Sequence, residues 1–272
     1  MRGLSDFAFA IALGAFFLSA AAQAQEPAAR EIRRYSAKEA HQGVAVGPEL
    51  FYAVDNNRIT AYDRATGERR AEWVGDTRVF QHLNSCEVDG NELVCAHSNY
   101  PRVPMASSLE WFDAITLEHL RSRSLGPGIG SITWFTRHDG FWWAGFANYD
   151  GRGGEADRGH RYTVMVQYDD DFVRHQSWLF PDSVLERFAP YSTSGGVWGE
   201  DGLLYVTGHD RREVYILARP AAGSTLDHLA TVRMSTGGQA ISWDRSRERT
   251  MWSIDRQSDE VVVSEIPEVA DR

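Results

Sequence analysis

Lysine is almost missing from this 272-residue chain: Lys38 stands alone among many arginines. Schiff-base chemistry would therefore rest on one residue outside the repeating part of the chain, and is discounted. Cysteine is nearly as scarce, with only Cys86 and Cys95. Positive charge is in deficit as well: a formal net charge of −10 would repel phosphates, which excludes nucleic acid and anionic membrane surfaces as natural partners. No apolar run is long enough to span a bilayer; Phe7 to Leu18 is too short. Several catalytic signatures are lacking: a G-x-S-x-G elbow, a P-loop, a dinucleotide fingerprint after a strand and an H-E-x-x-H helix. Gly126-Pro127-Gly128-Ile129-Gly130 is glycine-rich but precedes a strand pattern, so it does not cradle phosphate.

The ends of the chain give a cellular context. The short apolar run is followed by Ala22-Gln23-Ala24, an A-x-A processing pattern, so residues 1–24 read as a signal peptide and the mature chain as 25–272. A periplasmic or secreted protein is expected, with no integral membrane segment after cleavage. Cys86 and Cys95 flank a hairpin pattern, Glu87 to Glu92, and export favours a disulfide between them over a catalytic thiol. About 248 remaining residues suit one large domain without a second core, expected as a monomer.

What the chain does have is a period. Short apolar strands open at His41-Gln42-Gly43, His82-Leu83-Asn84, Gly130-Ser131-Ile132, Ser194-Gly195-Gly196 and Gly238-Gln239-Ala240, roughly 40 to 65 residues apart, the spacing of a four-stranded unit repeated radially. Asp89-Gly90, Asp139-Gly140 and Asp201-Gly202 supply hairpin turns between the first two strands of three units. The chain reads as an all-β, single five-bladed β-propeller. The fifth blade stops after three strands, and an open edge is a liability; Glu31 to Ser36 alternates as a strand and is expected to close the ring by pairing with the last blade. Asp182 to Phe188 reads as a short helix, with Asp182 placed to cap it.

In such a ring the start of each innermost strand and the loop between the second and third strands share one face, so distant residues converge on an axial mouth. His41, Gln42, His82, Asn84, Ser131, Ser194 and Gln239 come from the strand starts. His97, Asn99, Tyr100, Asn148, Tyr149, Asp150, His209, Asp210 and Arg256 come from the loops. Histidines with carboxylate neighbours suit proton transfer, for which His82, His97 or His209 are candidates with Asp150 or Asp210 orienting the ring. Arg256, Asn84 and Asn99 would hold ligand oxygens, with His41, Gln42, Tyr100, Asn148, Tyr149 and Gln239 completing the wall. His41, His82, His97 and His209 are also candidate ligands for a divalent metal. Two longer loops, Ser98 to Ser107 and Asp150 to Arg161, leave toward this face and would form a lid or wall.

His41-Gln42-Gly43-Val44, then Leu50 to Val54 and Arg58 to Asp63 with Thr66-Gly67, resembles the opening blade of exported five-bladed glutamine cyclotransferases, and more loosely the quinoprotein and lactonase-type propeller repeats. The likeness covers one blade; the remainder follows its rhythm. It implies a propeller fold and acyl chemistry that opens or closes a ring, as in a lactonase, cycloisomerase or cyclotransferase. In that family a Glu at the start of the innermost strand serves as acid/base; the matching position is Gln42, which exchanges no proton. The expected ligand is a small polar molecule or peptide. The alternative is a non-catalytic periplasmic ligand-binding or interaction propeller using the same face.

Overall fold

Alternation of apolar and polar residues between turn signals produces five sheets of four strands each. The computed structural model describes residues 26–269, so the expected signal segment and the expected new terminus at Gln25 lie outside the described residues. Blade 1 comprises Gly43–Val46, Leu50–Asp55, Arg58–Asp63 and Arg69–Val74. Blade 2 comprises His82–Asp89, Glu92–Ser98, Ala106–Asp113 and His119–Pro127, and blade 3 Ser131–His138, Phe141–Ala147, Val164–Tyr168 and Arg174–Leu179. Blade 4 is built from Gly195–Trp198, Leu204–Thr207, Glu213–Ala218 and Asp227–Arg233.

The last blade is composite. Ser242–Trp243, Thr250–Asp255 and Glu260–Glu265 come from the C-terminal end, and Arg30–Ser36 adds the outer strand, pairing antiparallel with Glu260–Glu265. The N-terminal strand thus covers an edge that would otherwise expose unpaired backbone groups. It also buries Tyr35 against Phe51 and Trp252, so closure joins blades 5 and 1 through one aromatic cluster. Similar clusters fill each gap between blades, the largest holding Trp134, Trp143, Trp178 and Trp198. Burying such rings is the main stabilising term available to an all-β ring of this size.

Cys86 and Cys95 face each other across the first hairpin of blade 2 and form a disulfide, with Cα atoms 4.0 Å apart. The innermost strand of blade 5, Ser242–Trp243, is shorter than its sequence pattern from Gln239 suggests, and the Gln239 carbonyl accepts the Thr207 hydroxyl. The helix spans Asp182–Phe188 as expected, but Pro181 is its N-cap residue and makes no side-chain cap bond. Asp182 is instead the first helical residue, and its carboxylate accepts from Arg161 at 2.6 Å. Among the described residues no helix is long and apolar enough to cross a membrane.

Candidate functional site

The start of each inner strand lies opposite the end of the next, as in the pairing of Gly43 with Val54. That register sets Gln42 beside Asp55 and Asn56, and the same geometry recurs around the ring. Asn56 joins blades 1 and 2: its carbonyl accepts the Leu83 amide at 2.8 Å and its side-chain oxygen meets His82 Nδ1 at 2.6 Å. Gln42 Nε2 reaches the same oxygen at 3.5 Å. Because Asn56 Nδ2 donates to Asp55 at 2.9 Å, its oxygen is fixed as the acceptor facing His82. His82 therefore carries a proton on Nδ1, and its Nε2 has no hydrogen-bond partner among the described residues.

Burial pushes the His82 pKa down to about 4, with His97, Arg256 and His209 adding to the effect against Asp55. The imidazole is thus neutral at neutral pH. Asp55 of blade 1, His97 of blade 2, His209 of blade 4 and Arg256 of blade 5 all act on the charge of this ring. The His82 ring lies 4.9 Å from that of Tyr100, which lies 5.3 Å from Tyr149, bringing in blade 3. Burial, followed by Tyr100, pushes the Tyr149 phenol upward.

Across the mouth His209 Nδ1 contacts Asp210 Oδ1 at 2.6 Å, while Arg256 Nη1 approaches His209 Nε2 at 3.2 Å. A guanidinium only donates, so Nε2 is the acceptor and Nδ1 carries the proton. Tyr191 stacks on the His209 ring at 4.2 Å. On the blade 1 side His41 Nε2 lies 2.9 Å from Asp259 and Nδ1 lies 3.5 Å from Asp55. Burial opposes the charged form of His41, but these carboxylates outweigh it and raise its pKa. Below the mouth, Ser85 Oγ of blade 2 meets the Ser194 carbonyl just before blade 4 at 3.5 Å. These blades are not neighbours, so the contact reaches across the axis.

Other expected site residues are committed to the scaffold. His97 accepts the Gln81 amide at Nε2 (3.1 Å) and meets Ser108 at Nδ1 (2.9 Å), so neither nitrogen is available to a ligand. Asn99 spends both ends of its amide within its own loop, on the Pro104 carbonyl and the Ala106 amide. Asn84 donates to the Ile132 carbonyl, and Asn148 Nδ2 to the carbonyls of Ile129 and Tyr162, while Asn148 Oδ1 is buried without a partner among the described residues. Gln239 is the exception: its backbone carbonyl accepts the Thr207 hydroxyl, but its buried side-chain Nε2 has no hydrogen-bond partner among the described residues. Asp150 does orient a histidine, but it is His160, with Nδ1 2.6 Å away; burial alone would raise the Asp150 pKa, and His160 lowers it.

His41, His82, His97 and His209 do not assemble a metal centre. Among the described residues no three His, Cys, Asp or Glu side chains are grouped to hold an ion. Each of these histidines is already bound to a different local partner. The two long loops form a wall: Glu155 accepts the Met105 amide at 3.0 Å, and Gly153, at φ +82°, lies where a Cβ would come within 2.3 Å of the Tyr100 ring. Asn56 belongs to the Asp55-Asn56-Asn57 loop that the sequence brings to this face, whereas Tyr191 and Asp259 are site neighbours absent from the expected set. Asn56 sits in a recognisable loop of amides, whereas nothing local marks Tyr191, which arrives through the long connection into blade 4.

A cavity of about 260 Å³ lies on the opposite face, lined by Glu200, Asp201, Arg245, Arg247, Arg249 and their neighbours. Its ionic groups are partly committed: Arg249 binds Asp201, and Arg245 donates to the Trp198 carbonyl.

No family model matches the chain, and no curated protein matches it in sequence. Solved structures do. A luciferin-regenerating enzyme shares 12% identity over 90% of this chain and 97% of its own, with a TM-score of 0.56. A PQQ-bound aldose sugar dehydrogenase from Streptomyces coelicolor shares 13% over 89% and 82%, with a TM-score of 0.52. At such identities the likeness establishes the propeller fold alone.

Proposed function

We propose that the axial mouth opens or closes an acyl ring in a small polar molecule, as a lactonase, cycloisomerase or cyclotransferase does. The carrying observation is His209, held by Asp210 at Nδ1 and facing Arg256 at Nε2. A ring fixed by a carboxylate, with its other nitrogen unprotonated, is arranged as a general base. In lactone opening, a ligand drawing Arg256 onto its carbonyl would free Nε2 to take a proton from the attacking water. Arg256 would stabilise the oxygen that gains charge. The acyl carbon–oxygen bond of the ring then breaks, and the proton on His209 passes to the departing alkoxide. His82, neutral and with an unpartnered Nε2, accepts a hydrogen bond from a ligand hydroxyl. The disulfide supports an oxidising, exported setting, in which the protein acts as a monomer.

The test is hydrolysis of a panel of γ- and δ-lactones by the parent and by His209→Ala. Turnover by the parent, reduced on the order of 10²–10⁴-fold in the variant, is the expected result. Equal turnover by both would reject the assignment. The second reading, a binding propeller for a small polar molecule or peptide, is favoured by the edge-to-face pair of Tyr100 and Tyr149, which offers aromatic surface and no evident nucleophile. Binding without turnover by the parent would select it.

A further inference from the structure

Behind His82, on the side away from the mouth, blade 2 buries a carboxylate. The Glu110 side chain is only 5% exposed. One oxygen accepts from His119 Nε2 at 2.9 Å and from the Ser122 hydroxyl; the other accepts from Ser108 Oγ at 2.6 Å. Ser108 Oγ in turn lies 2.9 Å from His97 Nδ1, and His97 Nε2 accepts the backbone amide of Gln81 at 3.1 Å.

The proton directions along this chain are determined. A backbone amide only donates, so His97 Nε2 is bare and its proton sits on Nδ1. That proton goes to Ser108 Oγ, and the Ser108 hydrogen goes to Glu110. Phe80 sets its ring edgewise against both His97 and His119, at 5.9 and 5.3 Å, walling the relay with an apolar side chain. The relay ends one residue before His82. On the other side of His82, the Leu83 amide is fixed on the Asn56 carbonyl. His82 is therefore gripped at both neighbours, once by the relay and once by blade 1.

We propose that Glu110 is a positioning residue for the mouth: through Ser108 and His97 it fixes the Gln81 amide and, one residue on, the ring of His82. The proposal rests on the reading of His82 as a site residue. A buried carboxylate is a weak source of net stability, because its desolvation offsets what its partners return. Its four-step connection to the mouth gives it a second role, that of aligning a ligand contact.

Ser108→Ala cuts the relay while leaving Glu110 its contacts with His119 and Ser122. Glu110→Gln keeps an oxygen able to accept from Ser108 and is the conservative partner. The readout is the ring-nitrogen NMR signals of His82 and His97 in the intact protein, recorded beside its melting curve. The parent should show both rings neutral and protonated at Nδ1. A folded Ser108→Ala protein should show displaced His82 signals, with Glu110→Gln nearer the parent; kcat on any lactone turned over should fall on the order of 10–100-fold. His82 signals unmoved in folded Ser108→Ala would overturn the proposal. Should that variant not fold, unmoved His82 signals in folded Glu110→Leu, which leaves Ser108 no acceptor at this position, together with unchanged kcat would do so. Displaced His82 signals in a protein whose parent hydrolyses no lactone would uphold the positioning and reject the acyl-ring reading instead.

Discussion

The two faces of the ring use similar residue types to opposite ends. On the face of tight turns, Asp63 accepts the amides of Ala65 and Thr66, Asp113 those of Ile115 and Thr116, and Asp169 those of Asp171 and Val173. One carboxylate closes one outer turn, blade after blade. Arg64 pairs with Asp244 and reaches the Gly47 carbonyl, and His138 lies flat on Trp198 at 4.6 Å. Polar groups there are spent on holding backbone. On the loop-bearing face His82 keeps a bare nitrogen, and His209 shares its own with an arginine that has no carboxylate within ion-pair distance among the described residues. Histidine, aspartate and arginine thus mark a site only where some of their bonding capacity is left over.

The sharpest separation of the faces comes from Trp198→Ala. This ring is 1% exposed and packs on His138 and Trp143, so its removal should cost about 3–5 kcal/mol in urea unfolding and lower activity only through unfolding. His209→Ala should do the reverse, with activity lost as above and stability changed by no more than about 0.5 kcal/mol. A variant that melts far below the parent would make His209 structural and erase the contrast.

Acid should distinguish the faces by where stability falls. The His82 pKa lies at about 4 in the folded protein against 6.5 unfolded. The unfolded chain therefore binds more protons between those values, and stability should rise as pH climbs from 4 to 6.5 and then level off. The span is at most on the order of 3 kcal/mol, and His82→Gln should remove that share of the slope. Asp63 behaves differently: Arg70, then the Thr66 amide, hold it at about 2, so its contribution is complete above pH 4 and is lost as pH falls towards 2. Asp63→Asn should flatten only that lower limb of a melting-temperature profile. A single limb common to both variants would show that the faces are not separable by titration. Smallest of all, His41→Ala should change stability by under about 0.5 kcal/mol, because its carboxylate contacts are more than a third exposed on at least one side.

Much of the ring was legible because two-residue alternation and Asp-Gly turns are local signals. Leu50–Asp55 and Arg58–Asp63 have the bounds that their pattern suggests. The closing strand was legible for a different reason: a blade lacking one strand requires a partner, and Arg30–Ser36 alternates correctly. The mouth was only half legible. Topology brings His82, His209 and Arg256 together, but whether a side chain faces the mouth depends on neighbours remote in sequence. His97 lies in the same loop-facing region as His82, yet Ser108 and the Gln81 amide consume both its nitrogens. Tyr191 could not be placed from sequence, since its position is set by a long connection without a repeat.

On the proposed function, ligands are handled among the loops and not in the arginine-lined hollow of the turn face. Histidine ring signals recorded during titration with the lactone panel test it directly, because His82 and His209 report on one face and His138 on the other. Saturable shifts of His82 and His209, with His138 unmoved, are expected. Shifts of His138, with His82 and His209 unchanged, would contradict it.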